Sequence, residues 1–292
     1  MRRRIIYWIF TSFIALCVAS CATAPETKRA KEPKIALVLS GGSAKGFAHV
    51  GVIRVLEQEK IPIHMIVGTS VGSLIGGLYA ANPDSFQLEW TAFKIERSDI
   101  LDFSLLDPKL GLVKGQKLES FVEREAKVKR IEETKIPFFA ITTDLNTGET
   151  VILDRGPLAR AIRASCAIPG IFAPVNFAGR TLVDGGLTNN IPCDIAKRKG
   201  ADIVIAVNLL SSVKNHEIDS IVDIIGQSIS IMMFEQAKEK LRYADVIIEP
   251  DVRNVSLFDF SKKKELMEEG IKAAKSQIPK IKELITRFRG EN

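Results

Sequence analysis

The chain has 292 residues, 46% of them hydrophobic and 26% charged, with 41 basic against 35 acidic side chains. Arg2, Arg3 and Arg4 supply half of the formal +6 and nothing acidic accompanies them, so the rest of the chain carries only about +3. That residue is spread over mixed-charge helices and excludes a charge-based case for nucleic acid, while the four cysteines and three histidines form no CxxC or Cys/His cluster that would hold a metal.

In chain order the first element is a leader. Arg2 to Arg4 form a positive n-region, Ile5 to Val18 an apolar h-region of about fourteen residues, too short for the roughly 20 of a spanning helix, and Val18-Ala19-Ser20 a small-residue cleavage site. Cys21 follows directly, and the whole resembles a bacterial lipobox. That resemblance implies lipidation of Cys21 and a mature chain anchored to the membrane rather than spanning it. Ala22 in place of aspartate favours the outer over the inner membrane, within the cell envelope and facing the periplasm. The predicted organisation is a signal peptide at 1–20, a polar tether at 21–33, a single folded domain at 34–250 and a helical extension at 251–292 packed on it. With Cys17 removed and Cys21 acylated, Cys166 and Cys193 remain, either as a disulfide or as two buried thiols.

Order is predicted from Lys34. Ile35 to Leu39 is a continuous apolar run closed by Ser40-Gly41-Gly42, as a strand buried on both faces requires. Phe47, Val50, Val52, Ile53 and Leu56 keep helical spacing to Glu59, and Met65-Ile66-Val67 forms a second strand. Leu74 to Tyr79 continues as a helix, so Ser70 lies in a strand–turn–helix unit. Further strands are predicted at Phe138–Thr142, Val151–Leu153, Thr181–Val183, Ile203–Val207 and Val246–Ile248, with helical patterns between most of them. Alternation of this kind predicts an α/β fold with a largely parallel sheet and helices on both faces. Glu217 to Arg242 and Lys262 to Arg289 read as long amphipathic helices, the second covering the core with Leu266, Ile271, Ala274, Ile278, Ile281 and Ile285.

Gly68-Thr69-Ser70-Val71-Gly72 has the form of a nucleophile elbow, whose small residues permit the sharp turn that exposes a serine hydroxyl. Gly41-Gly42-Ser43-Ala44-Lys45-Gly46 follows the first strand and opens a helix, where backbone amides bind anions. A Rossmann fingerprint would need glycine in place of Ser43, and a Walker loop would need Ser or Thr after Lys45. An oxyanion hole remains. For the base, His64 is read as solvent-facing and His49 as a packing residue. His216 completes the Ser70–Asp184–His216 order of an α/β-hydrolase, but only one strand precedes the elbow's own, whereas that fold places four there. Asp184, at the end of a short strand and followed by Gly185-Gly186, is the alternative base. Asp144 and Asp154 sit in polar turns and are read as turn residues.

Four blocks, Gly41 to Gly46, Gly68 to Gly72, Ser165-Cys166-Ala167-Ile168-Pro169-Gly170 and Asp184-Gly185-Gly186, together resemble the patatin-like phospholipases over at least Ile35 to Pro192. The resemblance implies a three-layer αβα sandwich and a Ser-Asp dyad, with Ser70 as nucleophile, Asp184 as base and Gly41, Gly42 and Ser43 as the oxyanion loop. Lys45, Gly46, Gly68, Gly72, Gly185 and Gly186 support the motifs. Ser43 and Lys45 depart from the family's usual glycine and arginine. The implied activity is a cofactor-free and metal-free lipid acyl hydrolase acting on membrane phospholipid or lysophospholipid. The competing expectations are a non-catalytic lipid-binding envelope lipoprotein and a His216-dependent esterase.

Overall fold

The computed structural model describes residues 32–100, 102, 113–210, 221–253, 255 and 259–290. The predicted leader, Cys21, most of the tether and His216 lie outside the described residues. From Pro33 onward the described chain forms one compact unit.

Eight strands form one sheet: β1 (Ile35–Leu39), β2 (Met65–Thr69), β3 (Phe138–Asp144), β4 (Thr150–Leu153), β5 (Val175–Phe177), β6 (Arg180–Asp184), β7 (Ile203–Val207) and β8 (Val246–Ile248). The main helices are α1 (Phe47–Gln58), α2 (Val71–Ala81), α3 (Ser85–Lys94), α4 (Gln116–Glu125), α5 (Leu158–Ser165), α6 (Cys193–Arg198), α7 (Ile221–Lys240) and α8 (Lys263–Arg289). Followed through hydrogen-bonded neighbours the strands connect as β5-β6-β3-β2-β1-β7-β8, with β4 taking the other edge of β3. β1, β2, β3, β7 and β8 run parallel, whereas β4, β5 and β6 pair antiparallel.

The pleat divides each central strand between two cores. Ile35, Leu37 and Leu39 face a large cluster shared with α1, α2, α5 and α8, while Ala36 and Val38 face a smaller one shared with α6. Strands fully buried on both faces read as continuous apolar runs, and all five residues of β1 are buried. Helices on both faces make the three-layer αβα architecture. α8 lies against α1 at a close backbone crossing: a Cβ on Gly51 would fall 2.1 Å from the Met267 carbonyl oxygen, and one on Gly270 would fall 2.1 Å from that of Ala48. Leu266, Ala274, Ile278, Ile281 and Ile285 of α8 are buried, so this helix closes the core as its spacing predicts. No described helix is long and apolar enough to cross a membrane.

The register around β3 brings the two ends of the site together. Residues 138–141 of β3 pair with β2, residues 140–143 pair with β4, and residues 142–144 pair with β6. Because β4 overlaps both of the others, β2 and β6 share the opposite edge of β3. β2 runs out to Thr69 opposite Ile141, and β6 runs back to Asp184 opposite Thr142. The two strands therefore meet end to end, with Ser70 following one and Asp184 closing the other.

Candidate active site

Ser70 caps the N-terminus of α2 with φ 54° and ψ −127°. Such a conformation is costly for a non-glycine residue, and it turns the side chain out of the strand–helix path. The flanking glycines serve close approach rather than unusual φ. A Cβ on Gly68 would lie 2.5 Å from the Gly72 oxygen, and one on Gly72 would lie 2.2 Å from the Leu39 oxygen. The strained dihedral belongs to the serine itself, and the small residues around it permit the turn by making room for it.

Ser165 holds the elbow. Its hydroxyl accepts from the Ser70 amide at 2.9 Å and donates to the Ile141 carbonyl at 2.6 Å. Within Ser165 to Gly170 the serine is the one hydroxyl among apolar residues, the only local signal that could mark it. Ser165→Ala leaves the buried Ser70 amide without its partner, a loss of about 1–3 kcal/mol. Urea unfolding should report that loss. If Ser70 is the nucleophile, kcat should also fall about ten- to a hundredfold as the elbow relaxes.

Asp184 is 1% exposed. Its amide donates to the Ala167 carbonyl, its carbonyl accepts from the Thr143 hydroxyl, and its Oδ1 accepts from the Gly186 amide at 2.7 Å. Burial pushes its carboxyl up to about 6, while contact with the Ser70 hydroxyl and the Gly186 amide hold back part of the rise. Oδ2 has no hydrogen bond of good geometry among the described residues. The serine–carboxylate contact is thus looser than a formed hydrogen bond.

The glycine loop lies against this pair. Ser43 adopts φ 51°, the left-handed conformation that glycine would hold more easily. The Gly41 amide is already engaged, donating to Asn190 Oδ1 at 3.1 Å and to the Asn190 carbonyl at 3.3 Å. Gly41 therefore contributes proximity, since a Cβ there would sit 3.1 Å from Ser70 Cβ. Among the described residues the amides of Gly42 and Ser43 have no acceptor, and both residues border open space beside Ser70. A Cβ on Gly46 would strike Val71, which locks the loop to the elbow. Lys45 is buried, and desolvation lowers its ammonium below the ordinary lysine range. Asn190 was missed in the sequence, where nothing marks it as the partner of a glycine 149 residues away.

The other candidates separate from the site. His49 is fully buried, its Nε2 is 2.8 Å from the Ser40 carbonyl, and burial pushes it down to about 4, so it is a neutral packing residue. His64 is exposed, yet its Nδ1 accepts from the Ile35 amide at 3.0 Å, a role in starting β1 that a purely solvent-facing reading omits. Asp144 accepts from the Asn146 amide within its turn, and Asp154 pairs with Lys199 and Arg155. Cys166 and Cys193 are free and buried, which decides between the disulfide and two thiols. Gly185 approaches the Ile141 carbonyl and Gly186 approaches Met233 of α7, where in each case a Cβ would clash. Among the described residues no group of three or more His, Cys, Asp or Glu is placed to hold a metal ion.

A family model for patatin-like phospholipases matches residues 37–197, more than half of the chain and all of the elbow, loop and Asp184 blocks. The chain belongs to the patatin-like phospholipase family. A Mycobacterium tuberculosis protein named as an uncharacterized NTE family protein is 38% identical over 183 residues, covering 62% of this chain and 50% of its own length. The human patatin-like phospholipase domain-containing protein 6 is 35% identical over 181 residues, covering 60% of this chain and 13% of its own. The chain thus matches about half the length, or less, of these curated relatives. Among solved structures, VipD from Legionella pneumophila superposes with a TM-score of 0.58 at 14% identity, over 86% of this chain and 67% of that one. The type III effector protein ExoU gives 0.51 at 14% identity, over 85% and 53%. At that identity the likeness is one of fold, a central sheet with flanking helices.

Proposed function

We propose that this chain is a serine carboxylic-ester hydrolase of membrane lipid. The observation that carries the reading is the meeting of a strained Ser70, which lines an apolar cleft, with a buried carboxylate whose Oδ2 has no other hydrogen bond among the described residues. In this mechanism Asp184 takes the Ser70 proton as Oγ attacks the ester carbonyl. The amides of Gly42 and Ser43 and the positive end of α2 stabilise the resulting oxyanion, each such donor being worth about 10²–10³ in rate. The alcohol leaves with the proton, and water activated by Asp184 then releases the fatty acid from the acyl-enzyme. Membership of a phospholipase family and the apolar lining beside Ser70 support lipid as substrate. Lipidation at Cys21 would hold the enzyme at the envelope membrane and raise the local substrate concentration, and neither nucleic acid nor a metal takes part.

A fluorophosphonate probe tests the nucleophile. It should label wild type once, at Ser70, and fail on Ser70→Ala; absence of labelling on folded wild type would favour a lipid-binding scaffold instead. The pH dependence of ester hydrolysis tests the base. Asp184 must be ionised to accept a proton, so kcat/KM should fall tenfold per unit as pH drops below about 6 and level off above it. A profile with no such limb removes Asp184 as the base.

A further inference from the structure

We propose that the site is built for esters carrying an alkyl chain on both sides, two-chain glycerolipids in preference to single-chain lysolipids; this rests on the ester-hydrolase reading above. Two clefts open from Ser70 and share Ser43, Ser70 and Ile168. The first, with about 470 Å³ of free space counted together with the solvent it opens to, runs between Leu74, Leu118, Phe172 and Phe260. The second is narrower, with about 370 Å³ counted in the same way, and runs under α7 between Ile171, Leu210, Ile229 and Met233. Ile168 is the ridge between them.

An ester held by Ser70 Oγ and the loop amides must send its acyl chain and its alcohol in different directions. Here both directions are apolar. The larger cleft takes the acyl chain, which leaves the cleft under α7 for the alcohol. A glycerol that still carries its second acyl chain fills that cleft with hydrocarbon and leaves its head group at the solvent side. A lysolipid has only a hydroxyl and a charged head group to offer, and no described lysine or arginine lines the second cleft. α7 is also apolar on its outward side, where Ile221, Ile224, Ile231 and Met232 are exposed, so the wall of this cleft is a helix that suits hydrocarbon on both faces.

The test compares diacyl phosphatidylcholine with lysophosphatidylcholine of the same acyl chain, at equal mole fraction in detergent micelles, using the full chain. The expected kcat/KM ratio favours the diacyl lipid at least about tenfold, the gain from burying roughly two methylenes. Ile229→Trp, which fills the second cleft, should bring that ratio toward one. Leu118→Trp, which fills the first, should lower both substrates and keep the ratio. Equal or better turnover of the lysolipid by wild type overturns the proposal whether or not the variants fold. So does a ratio that Ile229→Trp leaves unchanged, judged on folded protein or, should it not fold, on Leu210→Trp. A soluble p-nitrophenyl ester separates the two levels: if wild type cleaves it with lysolipid preference, only the two-chain inference fails, and if wild type cleaves no ester at all, the hydrolase reading fails with it.

Discussion

Asp184→Asn should abolish ester hydrolysis, by about 10⁴-fold or more, and at the same time make the protein more stable at neutral pH. Both effects have one cause. The carboxyl is buried and its folded value lies near 6 against an ordinary 3.8. A group raised on folding favours the folded state while protonated, and that contribution is lost as pH rises through 6. At pH 8 the ionised carboxylate therefore costs on the order of 3 kcal/mol relative to a neutral side chain. Asparagine is neutral, has nearly the same shape, and can still accept from the Gly186 amide. The stability gap between Asp184→Asn and wild type should be widest above pH 6 and vanish below about pH 4, as read by urea unfolding across pH. Ser70→Ala should match the loss of activity without this pH-dependent gain. Substantial turnover by either variant, with the fold intact, would end the dyad proposal.

Gly72→Ala is expected to be the most damaging single methyl at the site. The added carbon would stand 2.2 Å from the Leu39 oxygen, 2.6 Å from its carbonyl carbon and 2.7 Å from the Ser40 oxygen, all backbone at the end of β1 and just past it. No side chain can swing aside, so either α2 or the end of β1 must shift. The cost should be about 3 kcal/mol or more, a fall in Tm of roughly 6–12 °C for a domain of this size, with activity lost as well. Gly148→Ala is the contrast: nothing lies within 4 Å of its added carbon, and only its φ of 73° opposes the change, at about 1–2 kcal/mol. Thermal unfolding of the two variants side by side separates a packing cost from a dihedral one.

Much of this arrangement was legible in the sequence, for reasons that differ by element. β1 and β7 announce themselves because a strand buried on both faces is an unbroken apolar run, and the elbow because strand, turn and helix are contiguous. β5 was not legible: it is three residues long and includes the exposed Asn176. Nor were the clamps on the site. Ser165 reaches Ser70 across 95 residues and Asn190 reaches Gly41 across 149, and such pairs leave no local pattern. The amphipathic pattern of α7 does not show which of its apolar side chains are covered: Met233 and Ala237 are buried, while Ile221, Ile224, Ile231 and Met232 are exposed. Spacing alone could not tell a residue that fills the core from one that lines a cleft.

The end-to-end meeting of β2 and β6 on one edge of β3 also sets when the molecule can act. A chain emerging from synthesis presents the elbow and the glycine loop early, but the carboxylate arrives more than a hundred residues later, on a strand that must fold back against the direction of β3. Until that strand docks, a serine near the N-terminal end has no base beside it. If Ser70 and Asp184 act as the proposed dyad, competence therefore comes only with completion of the fold, and a chain truncated before β6 is inactive.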